Sequence, residues 1–350
     1  MNFNLFEMDI QPGFIIYKNG YGPVWVCPHS GPAFESPFDR DENSEVVASL
    51  CWMKTGGSLI ISTLPRHRTF GIDFNRDAPE KDRSILLWEE FEKNPNSKRV
   101  KQFEENYAWL SKNVSDFRTR QKIYDNFWKT IRSLGNIIIF VHREHTFIPN
   151  FPSIMEIITY QGEGVNKEIV KAIVNNINKK YENFLRGVSN HYKHTVLLEE
   201  LRFIDRVKMQ ELKFDLKEMT YNQKRRAVKA LKVIEKYADK RILQKLMKNF
   251  NERNYISAVG SVLKSNSHPI VTIENRFRGD KALKMKRLLL NKRNIVMEIE
   301  SSSFINYWHP DVAKDMIIDL LDQLVSVDMY KRMGMKQTQI IKFIKSEQSS

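Results

Sequence analysis

Three apolar runs in this chain each end at a side chain that can bind a metal or move a proton. Val24-Trp25-Val26-Cys27-Pro28 leads into His29 and then Ser30-Gly31, Asn136-Ile137-Ile138-Ile139-Phe140-Val141 into His142, and Asn294-Ile295-Val296-Met297 into Glu298. Imidazole and carboxylate are the ligands of open zinc sites, and both serve as general bases. Continuous apolar runs of this length suit strands buried on both faces of a largely parallel sheet. In open α/β sheets the carboxyl ends of such strands share one edge, and ligands bind there. The pattern predicts that His29, His142 and Glu298 meet in a single crevice.

A zinc site with an open position uses three protein ligands plus water. The third is expected from the acidic loop after His29, with Glu42 first and its neighbour Asp41 as the alternative. Both also sit where a helix dipole favours carboxylates. His145, three residues beyond His142, is the alternative second histidine. Glu298 lies in a run too apolar for an unpaired charge and needs a partner; Glu300 shares its face and is the lesser candidate. Asp73 and Asn75 point one way and Arg76 the other if their strand continues, so joint action needs a turn at Asn75. Arginine there supplies a planar fork for carboxylates. His67, His191, His194, His268 and His309 read as surface or hydrogen-bonded residues.

The elements that must position these groups follow in order. Phe14–Tyr17 is a first strand and Asn19-Gly20 a hairpin-type turn. Ser44–Met53 reads as a helix and Ser58–Thr63 as a strand; Thr69–Arg76 reads as a further short strand. Glu80–Asn96 is polar and reads as irregular. Lys101–Lys112 and Ser115–Leu134 read as helices before the His142 strand. This alternation predicts an α/β fold, a three-layer arrangement of a mostly parallel or mixed sheet flanked by helices. From 161 to 265 helical patterns dominate (Lys167–Arg186, Thr195–Met209, Tyr221–Asn251). Strands resume at Ile270–Ile273, and Asp311–Asp328 closes the chain as a helix. The expected organisation is one α/β domain, 1–160 and 266–350, carrying a helical insert at 161–265.

A chain of 350 residues with 41% hydrophobic and 28% charged residues is ordinary for a globular protein. No apolar run approaches the roughly 18 residues of a membrane span. The first residues have neither a basic region nor a long apolar core, so no secretory signal is expected. Two cysteines far apart, Cys27 and Cys51, argue against a disulfide framework and for a reducing cytoplasm. The net charge of +14 is uneven, because Gln161–Ser265 holds 23 Lys/Arg against 12 Asp/Glu.

Several of these residues form a pattern that resembles the N-formylglutamate amidohydrolase family and, more distantly, the zinc carboxypeptidases (the phosphorylase/hydrolase-like architecture). The likeness rests on Pro28-His29-Ser30-Gly31, on Arg68 followed by Ile72-Asp73-Phe74-Asn75-Arg76, on Asn275-Arg276-Phe277-Arg278-Gly279, and on Val296-Met297-Glu298-Ile299 leading to Phe304. It spans roughly residues 10–160 and 268–330. The resemblance implies one zinc, or another divalent metal, held by His29, an acidic residue near Glu42, and His142. It implies that Asn75 and Arg76 grip a substrate carboxylate, with Arg276 and Arg278 adding to substrate binding. Arg68 would stabilise an oxyanion and Glu298 would be the general base. Where the family usually has Asp-x-His-Ser, this chain reads Phe140-Val141-His142-Arg143.

The expected function is zinc-dependent hydrolysis of an amide in a small N-acyl amino acid or peptide-like carboxylate, in which zinc polarises the carbonyl. The alternative is a binding module whose basic insert, with Lys224-Arg225-Arg226 and Lys240-Arg241, meets nucleic acid or an acidic partner. Few aromatic residues that could stack bases flank that patch, so a solvated helical face is the simpler reading.

Overall fold

The computed structural model describes residues 7–33, 40–199 except 96, 147 and 197, 267–277, and 295–346 except 333. Eight strands form one mixed sheet: β1 (Glu7–Gln11), β2 (Phe14–Asn19), β3 (Val24–Cys27), β4 (Gly57–Ser62), β5 (Ile137–Glu144), β6 (Ser153–Ile158), β7 (Ile270–Ile273) and β8 (Ile295–Ser302). Their order is β1-β2-β4-β3-β5-β8-β6-β7. The centre, β4-β3-β5-β8, is parallel, whereas β2 joins β4 and β6 joins β8 antiparallel. The runs ending at His29, His142 and Glu298 are therefore the neighbouring strands β3, β5 and β8. They carry the continuous apolar sequence that burial on both faces demands.

Alternation along these strands divides the interior. Trp25, Cys27, Ile139, Val141, Met297 and Ile299 face one layer of helices: α1 (Ser44–Thr55), α5 (Lys167–Lys180), α7 (Ser303–Trp308) and α8 (Pro310–Arg332). Val24, Val26, Ile138, Phe140 and Val296 face α4 (Val114–Leu134) on the other side. By the same alternation His142, Glu298 and Glu300 lie on the α4 side, beyond the apolar part of the strands. The α5 residues Ile169, Val170, Ile173 and Ile177 pack into the main core, as do Leu185 of α6 (Glu182–Gly187), Tyr192 and Val196. The α/β body thus runs past residue 160. The basic patches at 224–226 and 240–241, and the expected helix 221–251, lie outside the described residues.

Several expectations change. Glu80–Asn96 contains a helix, α2 (Lys81–Lys93), because Leu87, Trp88 and Phe91 make an apolar stripe within its polar sequence. The predicted helix from 101 stops early, since α3 spans Lys98–Glu104. Beyond it the backbone bonds to a different segment: Asp73 N donates to Ala108 O at 2.9 Å and Leu110 N to Arg68 O at 3.0 Å. Thr69–Arg76 is a turn rather than a strand, closed by Arg76 N to Asp73 O at 3.0 Å. Asn19-Gly20 does not make a hairpin, because β2 pairs with β1 and β4 and not with β3. Strand β6 and the amphipathic helix α9 (Gln337–Ser346) are additions. Glu156 interrupts the first pattern, which hides it from a hydropathy reading. No helix among the described residues is long and apolar enough to cross a membrane.

Candidate metal centre

His29 stands two residues past the end of β3, where the chain must pass very close to the 62–65 segment. A Cβ on Gly31 would lie 1.8 Å from the carbonyl oxygen of Leu64, so only glycine fits there. The backbone then returns: Asp41 N donates to His29 O at 2.9 Å, which sets the Asp41 side chain beside the imidazole just before α1. His142 comes from the carboxyl-terminal half of β5, the adjacent strand.

Asp41 Oδ2 lies 3.2 Å from Nδ1 of His29 and 2.8 Å from Nδ1 of His142. All three side chains are buried, and one ligand atom from each falls within 4.8 Å of the others. Metal bonds of about 2.0–2.2 Å place tetrahedral ligand atoms roughly 3.4 Å apart, so this group can hold a metal ion. The acid at the centre is Asp41. Glu42, the expected choice, is exposed to solvent. His145 lies outside the group and faces Glu199 at 3.5 Å instead.

The outer nitrogens are held as ligand imidazoles require. His29 Nε2 is 3.0 Å from Asp73 Oδ1, and an ionised carboxylate accepts only, so that nitrogen carries the proton. Burial alone would raise Asp73, but Arg76, Arg66 and His29 outweigh it and hold the carboxyl well below its ordinary value. His142 Nε2 faces the Asn75 amide nitrogen at 3.0 Å, while the Asn75 amide oxygen is buried without a partner. Nδ1 of His142 faces the ionised Asp41 oxygen and carries the proton here; a metal bound at Nδ1 would displace that proton, and turning the Asn75 amide would then let its orphaned oxygen accept from Nε2. Burial lowers the His142 pKa, favouring the neutral imidazole that metals bind. Burial opposes ionisation of Asp41, yet the two facing imidazoles hold it well below the usual carboxylate range.

The turn at Asp73–Arg76 supplies the second half of the site. Asn75 N donates to Asp73 Oδ1 at 3.0 Å, and this local bond makes the turn that brings Asp73, Asn75 and Arg76 together. Helix α4 clamps it: Tyr124 Oη donates to Arg76 O at 2.8 Å, Arg120 donates to Thr69 O at 2.8 Å, and Phe74 stacks on Phe127. Asp73 Oδ2 then faces Arg66 at 3.4 Å, Arg68 at 3.4 Å and Arg76 at 4.0 Å. Three guanidiniums surround one fully buried carboxylate, and all three are partly exposed, at 28%, 23% and 15%. Arg66 also lies 3.8 Å from Asp41 Oδ1, so the arginines link Asp73 to the carboxylate between the two histidines. Burial lowers the Arg68 pKa; Asp73 and Asp41 outweigh burial at Arg66 and raise it.

Glu298 sits on β8 with Oε1 3.9 Å from His142 Nε2, and Tyr160 Oη donates to its Oε2 at 2.8 Å. Glu300 lies two residues further along the same row of β8 and is also buried. Burial, then the carboxylates of Glu298, Asp41 and Glu144, push its pKa well above the ordinary value. The Arg276 guanidinium bonds Asn150 and stacks on Phe277, while its backbone N–H donates to Glu156. Arg278 lies outside the described residues. Sequence reasoning missed Arg66 and Tyr160: one is a charged residue in a loop of unknown path, the other an aromatic at the end of an unrecognised strand.

No protein-family model, curated protein or solved structure matches the chain.

Proposed function

We propose that this protein is a metal-dependent amidohydrolase, with zinc the preferred ion, acting on a small N-acyl amino acid or a similar amide bearing a free carboxylate. The observation that carries this reading is the buried convergence of His29, Asp41 and His142 beside the carboxylate of Glu298. A mixed imidazole–carboxylate donor set suits zinc better than calcium or magnesium, which take oxygen ligands. A zinc held there supplies Lewis acidity toward the amide carbonyl. Glu298 removes a proton from the attacking water as its oxygen bonds to the carbonyl carbon, then passes that proton to the amine as the C–N bond breaks. Arg68 faces the negative charge that develops on the carbonyl oxygen. Arg76, with the amide of Asn75, holds the substrate carboxylate. The partial exposure of Arg76 beside Asp73 supports that role, because a guanidinium reached by solvent can still take a carboxylate in a charge-assisted hydrogen bond.

The test is metal analysis of purified protein followed by hydrolysis of a panel of N-formyl and N-acetyl amino acids. About one equivalent of zinc is expected, with Glu298→Gln lowering kcat by about 10²–10⁴ while retaining the metal. Protein that binds no divalent ion at His29 ends this reading.

A further inference from the structure

Just beyond β6, the chain takes an unusual path. Tyr160 and Gln161 adopt left-handed backbone angles, φ 55° and 58°, which residues with a Cβ rarely occupy. The turn is held at many points. Gly164 N donates to Thr159 O at 3.0 Å and Glu163 N to Tyr160 O at 3.1 Å. The Glu274 carboxylate accepts from Thr159 N, Thr159 Oγ1 and Gln161 N, at 3.1, 2.7 and 2.8 Å. Val296 N donates to Gly164 O at 3.1 Å, which ties the turn to β8 two residues before Glu298. A Cβ on Gly164 would lie 2.0 Å from Val296 O, so β8 and the turn approach as closely as backbone allows.

What this strained turn achieves is the placement of one phenol. Tyr160 is completely buried, and its hydroxyl donates to Glu298 Oε2 at 2.8 Å. Burial and the facing carboxylate raise the phenol pKa well above its ordinary value, so the hydroxyl keeps its proton and acts as donor. The other oxygen, Oε1, lies on the His142 side, 3.9 Å from Nε2. A carboxylate at the end of a glutamate turns easily about its last bond. A fixed donor on one oxygen restrains that freedom, and Glu300, which shares a hydrogen bond with the same carboxylate, is the neighbour from which the Tyr160 contribution must be separated.

We infer that Tyr160 is a positioning residue for Glu298: its hydroxyl locks the rotation of the carboxylate so that Oε1 is held facing Nε2 of His142, beside the His29–Asp41–His142 group. The catalytic part of this role rests on the amidohydrolase reading; the locking itself does not. Persistent strain at Tyr160 agrees with it, since strained residues survive where the surrounding structure over-determines them and gather at functional sites. A tyrosine that merely filled the core would be replaced by phenylalanine with Glu298 left in place.

The experiment compares wild type and Tyr160→Phe, both loaded with zinc chloride, by crystallography, zinc titration and kinetics on the N-acyl amino acid that wild type hydrolyses fastest. In the variant the Glu298 carboxylate rotates or splits into two orientations, and zinc affinity stays within about twofold. Its kcat falls roughly 10- to 100-fold with KM within about twofold, a split that loss of packing would not produce. A carboxylate that keeps its orientation in Tyr160→Phe overturns the inference whatever the rates. If it rotates while wild type hydrolyses no panel member, the amidohydrolase reading fails and the locking role of Tyr160 stands. Should the variant not fold, the Tyr160 hydroxyl proton is followed by NMR in wild type and Glu298→Ala. Faster exchange in Glu298→Ala supports the bond, and unchanged exchange overturns it.

Discussion

Asp41 Oδ2 lies 2.8 Å from Nδ1 of His142, although 101 residues separate them in sequence. The same oxygen lies 3.2 Å from Nδ1 of His29, so one carboxylate oxygen sits between two imidazoles from adjacent strands.

This arrangement distinguishes Asp41 from its neighbour. On the proposed zinc site, Asp41→Ala removes one of three candidate ligand atoms and is expected to weaken zinc binding by at least about 100-fold, whereas Glu42→Ala leaves it unchanged. Competition with a chromogenic chelator measures both. Equal losses at the two positions would contradict the geometry.

Asp73 supports the site from behind. Asp73→Asn keeps the shape but leaves Arg66, Arg68 and Arg76 without their shared counter-charge and loosens the orientation of His29. Zinc affinity should fall about 10- to 100-fold, and unfolding free energy by about 3 kcal/mol. Urea unfolding and zinc titration of the same preparation separate the two effects. A variant with wild-type stability would mean that the arginines find other partners.

Buried carboxylates predict an acid-side stability optimum. Burial outweighs the backbone N–H groups of Arg276 and Phe277 and pushes Glu156 up to about 7 from an ordinary value near 4.5. Between those values the folded state holds a proton that the unfolded state has released, so stability falls as pH rises from about 4.5 to about 7. The loss is at most about 3.5 kcal/mol, at about 1.4 kcal/mol per pH step. Glu144 and Glu300, raised by burial and by neighbouring carboxylates, act in the same direction. Urea midpoints at pH 5 and 7.5 should differ less in Glu156→Gln than in wild type.

Gly31→Ala tests the approach of the His29 turn to Leu64. Its Cβ would meet backbone rather than a movable side chain, so the turn must shift, at a cost of about 3 kcal/mol. Zinc affinity should drop with it, because His29 and the Asp41 contact move together. An alanine variant that binds zinc as wild type does would show that the loop has slack the structure does not suggest.

The central strands were readable because burial on both faces writes itself as unbroken apolar sequence, and β3, β5 and β8 are such runs. Their parallel order follows from the intervening helices. Less was readable where a tertiary contact decides. The choice of Asp41 over Glu42 depends on a backbone bond to His29 O that no pattern announces. The Asp73 turn looked like a strand because Ile72 and Phe74 alternate with polar residues, yet both pack inward around a local side-chain bond. Helix α2 hid because its apolar stripe is only a few residues within a charged sequence. Tyr160 could not be found at all without β6, whose antiparallel register with β8 sets Ile158 opposite Glu298.

Strands β5 and β8 run in step from Ile137 opposite Ile295 to Glu144 opposite Ser302. A strand has two faces, so one added or deleted residue inside β5 would exchange them, turning His142 toward α1 and α8 and pushing Val141 or Arg143 toward His29 and Asp41. A chain that keeps the site must therefore preserve residue parity between Asn136 and His142 and between Ile295 and Glu298, and can change length only in its connections.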